Sequence, residues 1–515
     1  MATIRGTCGN DSISGTPDDD VMFGLLGNDT LNGADGNDIL LGEAGDDSLD
    51  GGVGIDTSVG GSGNDTLTGT NGDRLYGDSG NDTLIVGGDA EQPVLTANGD
   101  DGNDTFISAK AGNLPAELDL NFGLNLAGND GDDAFTFPFG ALQESAIDGG
   151  SGNDHFTIRY MLGGVLAGSG GQDRFEIRNM AGVISTGDGN DVISVGASKA
   201  GGTILMGDDG EDVISAIAGS SIIDGGAGND HLSDGLDSFD LASQLDGGAG
   251  DDELSSPGRD LLLGGDGRDT LESGAFANTL TGGSGPDHFV YGPLVNLSSI
   301  RADTITDFNQ AEGDVLDVSG LLERVGAANG PFASGFLDLS VQDGSTLVLF
   351  DADGGGDDFR AIATLENTIL AENDIVTESP PPPPSLGRYY LADADTDQPL
   401  IELANRSVID PAVLAGHNLT ILTVLNKSNP DALFTESVRL NFDSGAATRV
   451  EHVEPYALFG DVDGDLRGGF GLNEGLHQIT FDFYGAPNAQ GRLLGSESLT
   501  LLVTFSAAGT ELLLI

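Results

Sequence analysis

"LLGNDTLNGADGNDILLGEAGDDSLDGG", residues 25–52, sets an aspartate down every nine residues, at Asp29, Asp38 and Asp47. Each follows a glycine by two positions and precedes a leucine by two. Written out, the unit is G-G-x-G-x-D-x-U-x, with U a large apolar residue. Aligning the chain on it places the aspartate at Asp29, Asp38, Asp47, Asp56, Asp65 and Asp82 in a first block. A second block carries Asp104, Asp133, Asp154, Asp173, Asp191, Asp212, Asp230, Asp252, Asp269 and Asp287, with steps of 29, 21, 19, 18, 21, 18, 22, 17 and 18 residues. The dominant step has doubled.

A fixed short period is the mark of a solenoid, in which each repeat packs on its neighbours. Nine residues make a turn and a very short strand: the glycines permit positive φ and close backbone approach, and U points inward. Two units close one coil of about eighteen residues. Carboxylates of successive coils then stack on one side with turn carbonyls between them, forming rows of hard oxygen donors suited to Ca²⁺. The doubled step reads as a coil with a calcium turn on one side only. Its other half should still send an apolar residue inward, and two positions before each motif stand Leu126, Ile147, Leu166, Ile184, Leu205, Ile223, Leu245, Leu262 and Leu280. The expected fold class is all-β: a parallel β-roll with two calcium rows over residues 1–92, continuing as a β-solenoid with one row over 93–290.

The residues of this nonapeptide resemble those of the RTX (repeats-in-toxin) calcium-binding family, over roughly residues 9–290. The resemblance implies that the sixteen motif aspartates and carbonyls around the glycines are the metal ligands. Two units depart from the pattern. Ser58 stands where U belongs, and "GTNGDRLYG" (69–77) is one residue short, with Arg74 at the aspartate position; both coils are expected to bind metal poorly. His155, His231 and His288 follow a motif aspartate directly and read as outward-facing spacers rather than catalysts.

The formal charge of −65 comes from 84 Asp and Glu against 19 Lys and Arg. Scattered charge of that size would oppose compaction. About fifteen Ca²⁺ would bring about +30 and offset nearly half of it. The chain is therefore expected to be expanded without calcium and to fold at the millimolar calcium found outside cells. Three lysines in the whole chain exclude a phosphate-binding surface, so nucleic acid is no partner. No run of 18 apolar residues is present to span a bilayer, and "MATIRGTCGNDSISG" lacks the apolar core of a secretory signal. The lone Cys8 has no partner for an internal disulfide.

Residues 302–322, "ADTITDFNQAEGDVLDVSGLL", break the period. With "STLVLFDADGGGDDF" and "ATLENTILAENDIV" they form a β-rich segment over 291–377 that resembles the C-terminal targeting module of type I secreted proteins, seen also behind the calcium roll of serralysin-like proteases. That resemblance implies export of an unfolded chain from a Gram-negative cytoplasm through a type I secretion apparatus, with no cleaved N-terminal signal. In the family the signal stands at the extreme end, whereas here 138 residues follow.

"ESPPPPPSLG" (378–387) is a stiff polyproline linker, assigned to 378–386. Over 387–515, "LTILTVLN", "SVRLNF", "HQITFDFY" and "LTLLVTF" alternate apolar and polar residues and predict an antiparallel β-sandwich. "VEPYALFGDVDGD" and "GLNEGLHQITFDFYG" resemble an Ig-like module of secreted bacterial proteins. Asp461, Asp463 and Asp465 are placed either to hold a further Ca²⁺ or to form a turn, as is "DADGGGDD" at 351–358. Tyr389, Tyr390, Tyr456 and Tyr484 offer packing residues or a sugar-stacking surface.

No G-x-S-x-G elbow, H-E-x-x-H helix or Walker lysine loop occurs, and no enzyme is expected. The expected function is a secreted, extracellular calcium-binding repeat protein with a structural, adhesive or surface role. The alternative is a polysaccharide-acting or glycan-binding protein, through His155, Arg159 and Tyr160 on the solenoid or through Tyr389 and Tyr456 in the sandwich.

Overall fold

The computed structural model describes residues 1–377, apart from 71, 88–94, 109–120, 139–140, 197–201, 217–219, 236–241, 275–276, 293–300, 328–329 and 357, and beyond 386 the backbone of the strands. The chain divides into two compact units, Met1–Ser379 and Pro380–Ile515.

The first unit is a parallel β-solenoid. One wall begins with strands Ala2–Arg5, Asp20–Leu26, Ile39–Ala44 and Thr57–Ser62, each hydrogen-bonded in parallel to the next. The opposite wall begins with Ser12–Ser14, Thr30–Asn32, Ser48–Asp50 and Thr66–Gly69. Strand residues alternate between core and solvent, so one U residue per unit is buried, as a period of two requires. In the second wall the U positions fall opposite one another coil after coil: Leu49, Leu67, Leu84, Phe106, Phe135, Phe156 and Phe175 are in register and fully buried. The four phenylalanines stack with centroids 4.3–4.8 Å apart. Register holds across the 29-residue step, since Phe106 pairs directly with Phe135.

The first wall keeps its own ladder. Leu126, Ile147, Leu166, Ile184, Leu205, Ile223, Leu245, Leu262 and Leu280 pair in order and are at most 2 % exposed. The doubled step is thus a full coil whose other half has lost its motif but kept its inward residue. Ser58 occupies the same ladder between Leu40 and Leu75, and its buried hydroxyl has no hydrogen-bond partner.

Residues 303–377 extend both walls and then stop them. Asp303–Ile305 pairs in parallel with Thr279–Ser284 and Arg360–Leu365, and Val315–Asp317 with His288–Tyr291 and Ile375–Val376. An antiparallel hairpin, Leu337–Gln342 with Ser345–Phe350, and the helix Ser319–Val325 follow. Phe308, Val318, Leu321 and Leu322 are buried there, covering apolar surface that another coil would otherwise bury.

In the second unit the strands pair antiparallel, with Gly475–Tyr484 between Leu493–Ser506 and Ser437–Phe442, and Gly387–Asp393 between Gln398–Leu403 and Leu419–Leu425. The expected Ig-like sandwich, the tyrosine surface and the Asp461–Asp465 metal turn depend on features that lie outside the described residues.

Candidate metal centre

Every one of the sixteen motif aspartates is buried, at 0–3 % exposure. In each the two carboxylate oxygens differ. Oδ1 accepts the backbone N–H of the equivalent residue one coil earlier, as from Asp29 to Asp47 at 2.7 Å, Asp104 to Asp133 at 2.6 Å and Asp252 to Asp269 at 3.0 Å. Oδ2 has no hydrogen-bond partner in any of the sixteen. A buried carboxylate oxygen left unpaired is costly, and here the cost recurs along a line.

The lines can be traced by the Oδ1 bonds. One row runs Asp29, Asp47, Asp65, Asp82, Asp104, Asp133, Asp154, Asp173, Asp191, Asp212, Asp230, Asp252, Asp269 and Asp287. The second, on the other side of the first coils, runs Asp20, Asp38, Asp56 and Asp73. The expectation that Arg74 takes the aspartate place in the short unit is corrected here. Asp73 fills it, buried to 1 % and accepting the N–H of Asp56 at Oδ1 at 2.8 Å. The coil holding Ser58 keeps Asp56 in the same geometry as the others, with Oδ2 unpartnered.

The first glycine of the motif completes the arrangement. A methyl group placed on Gly24 would overlap both Oδ2 of Asp29 and the carbonyl oxygen of Gly42 one coil on, and one on Gly128 would overlap Oδ2 of Asp133 and the carbonyl of Gly149. A carboxylate oxygen and a carbonyl oxygen from the adjacent coil thus face one space, kept open by the lack of a side chain. These are hard donors of the kind calcium takes, and the residues fit that ion. Among the described residues no three His, Cys, Asp or Glu side chains converge. Calcium held here would be shared between row aspartates and carbonyls, and bound it would supply the positive charge that the buried carboxylates lack.

Electrostatics agree with the geometry. Burial, reinforced by like charges in the row or beside it, pushes the carboxyls of Asp65, Asp104, Asp154, Asp173, Asp212 and Asp269 up to about 7, and those of Asp56, Asp82, Asp133, Asp230 and Asp287 up to about 6. Burial also raises Asp38, Asp47, Asp191 and Asp252.

Two features escaped sequence reading. The motif's fifth position, written x, is a second ladder: Asn64 Oδ1 accepts from Asn81 N–H at 2.8 Å, Asn81 from Asn103 at 3.0 Å and Asn103 from Asp132 at 3.0 Å. The abundance of Asn and Asp before the motif aspartate was its signal. The second side of the solenoid also regains a ladder late, through Ser243, Asp260, Asn278 and Asp303; no glycine motif marks it.

The remaining candidates have partners close at hand. His155, His231 and His288 are 39–48 % exposed and face Glu176, Glu253 and Asp317 at 3.9, 3.1 and 3.4 Å. Arg159 lies over the Tyr160 ring at 5.2 Å. In "DADGGGDD", Asp351 accepts the N–H of Asp353 at Oδ1 and that of Gly356 at Oδ2, which makes it the brace of a turn.

A family model described as an RTX calcium-binding nonapeptide repeat, in four copies, matches residues 3–31, 23–58, 59–90, 200–233 and 263–292. No curated protein matches the chain. Asp104 to Asp191 lie between the matched segments, yet they continue the same row with the same unpaired oxygen. Over residues 3–90, 200–233 and 263–292 the solenoid is made of RTX calcium-binding nonapeptide repeats.

Proposed function

We propose that the protein is a secreted, non-catalytic calcium-binding scaffold, exported unfolded and folded by extracellular calcium, with a structural, adhesive or matrix-interaction role at the cell surface. The observation that carries this reading is the line of buried carboxylates whose Oδ2 has no partner. Charge of that density disfavours the fold where calcium is scarce and rewards it where calcium is millimolar, so binding and folding are one equilibrium. Such a chain suits passage through an exporter before folding. No helix among the described residues is long and apolar enough to cross a membrane. The reading assigns about fifteen ions to the rows. The segment over 291–377 is assigned to the secretion apparatus and the antiparallel unit beyond 386 to surface or glycan contact.

Fractionation tests the reading. Expressed in a Gram-negative host with and without a type I exporter, the full chain is expected in the medium only when the exporter is present. Retention in the cytoplasm under both conditions would remove the export part of the proposal.

A further inference from the structure

The sixteen motif aspartates, whose Oδ2 has no hydrogen-bond partner, share a backbone feature. Four residues earlier, at position 2 of the motif, φ is positive in every case. Half of these residues are glycine; the others are Leu25, Ala34, Glu43, Asp78, Asp100, Asn129, Ser169 and Asp208, with φ from 65° to 86°. The left-handed region is unfavourable for a residue with a side chain. Repeated strain at one motif position marks a requirement of the site.

Other aspartates in the rows are built differently. Asp11, whose N–H donates to Asp29 Oδ1 at 2.7 Å and so precedes it in the main row, and Asp20 have threonine at position 2, and neither Thr7 nor Thr16 has positive φ. A β-branched residue resists the left-handed region. The backbone N–H at position 2 then points at the carboxylate: Thr7 N donates to Asp11 Oδ2 at 2.5 Å and its hydroxyl at 2.8 Å, and Thr16 does the same to Asp20 at 2.7 and 2.8 Å. Thr70 N–H covers Asp73 Oδ2 at 2.6 Å. In the late ladder, Ser256, at position 2 relative to Asp260, donates its hydroxyl to Asp260 Oδ2, and Asp303 Oδ2 is covered by a hydroxyl from outside its own turn, that of Ser273 at 2.6 Å. Ser169 is the internal control. It has a hydroxyl at position 2 but φ of 79°, turns that hydroxyl to Asp148 at 2.8 Å and leaves Asp173 Oδ2 without a partner.

We propose that the backbone conformation at position 2 decides which row aspartates hold calcium: a left-handed residue leaves Oδ2 to the metal, and any other places a proton donor on it and closes the site. This rests on calcium being the metal of the rows. The main row then holds calcium from Asp29 to Asp287, the second row at Asp38 and Asp56, and Asp260 to Asp303 is a metal-free strip joined by hydroxyl protons.

The test is the number of calcium ions bound per full-length chain at saturation, by equilibrium dialysis and elemental analysis. Thr7→Gly turns "GTCGND" into "GGCGND" and is expected to add one ion; Leu25→Thr is expected to lose at least one. Asp260→Asn should leave the count unchanged, and Asp252→Asn should lower it. An unchanged count in Thr7→Gly, or a loss in Asp260→Asn equal to that in Asp252→Asn, would overturn the position-2 rule while leaving calcium binding intact. A wild-type chain that binds no calcium would overturn both.

Discussion

The backbone N–H of Asp154 donates to Oδ1 of Asp173, one coil further on, at 2.7 Å. Beside it the bond runs the other way, from Gln172 N–H back to Asn153 Oδ1 at 2.8 Å. Adjacent side chains thus tie each turn to the coil before and the coil after. One oxygen of the aspartate is spent on holding the stack, and the other faces the space between coils.

Separating these two duties gives a mutational signature. Asp173→Asn keeps an acceptor for Asp154 N–H but removes a charged ligand; Asp173→Ala removes both. The first is expected to raise the calcium midpoint several-fold with the fold retained at saturation. The second should also lose about 1 kcal/mol of stability for the broken ladder bond. Calcium titration and urea unfolding of both variants at saturating calcium check the difference.

Gly128→Ala places a methyl on Oδ2 of Asp133 and on the Gly149 carbonyl. Crowding of this kind in a packed interior costs about 1–3 kcal/mol, and here it also fills the space where donors converge. Weaker calcium binding together with lower stability is expected, whereas Gly344→Ala, whose methyl would meet no neighbouring atom, changes stability through its φ of 86° alone and leaves calcium binding unaltered.

Protons and calcium compete for the rows. Burial lifts Asp65, Asp104, Asp154 and Asp173 to about 7, while an aspartate in an unfolded chain titrates near 3.9. Between about pH 4 and 7 the folded chain keeps protons that the unfolded chain has released, so stability without calcium falls as pH rises through that window. With a chelator present, the chain is expected to be β-rich near pH 4.5 and expanded at pH 8, and calcium should restore it at pH 8. Circular dichroism across pH checks this; more structure at pH 8 than at pH 4.5 in chelator would contradict it.

Ser58 breaks the core ladder between Leu40 and Leu75 with a buried, unpartnered hydroxyl. Ser58→Ala removes that desolvated group and should stabilise by about 1 kcal/mol. Ser58→Leu restores the motif residue and should add about as much again through apolar burial. Thermal unfolding in saturating calcium measures both.

The repeat made the coil legible because both halves of it obey simple rules. Asp at position 6 and U at position 8 are fixed by the stack, and Leu126 to Leu280 kept a fixed offset even where the second motif was lost. Asp73 was hidden because a one-residue deletion moved Arg74 into the counted place, whereas the ladder counts hydrogen bonds rather than residues. Asp260, Asn278 and Asp303 were hidden because hydroxyl donors replace the glycine turns that announce the row. The closing strands at 303–305 and 360–365 pair across more than fifty residues, a distance no local pattern encodes.

The most direct test of calcium as the ion that closes the rows is circular dichroism with small-angle scattering of the full chain, titrated with calcium from micromolar to ten millimolar at pH 8, with magnesium as control. A cooperative collapse from an expanded coil to a compact β-rich particle, selective for calcium, is the expected result. A chain already compact and β-rich in chelator, unchanged by calcium, would contradict the account.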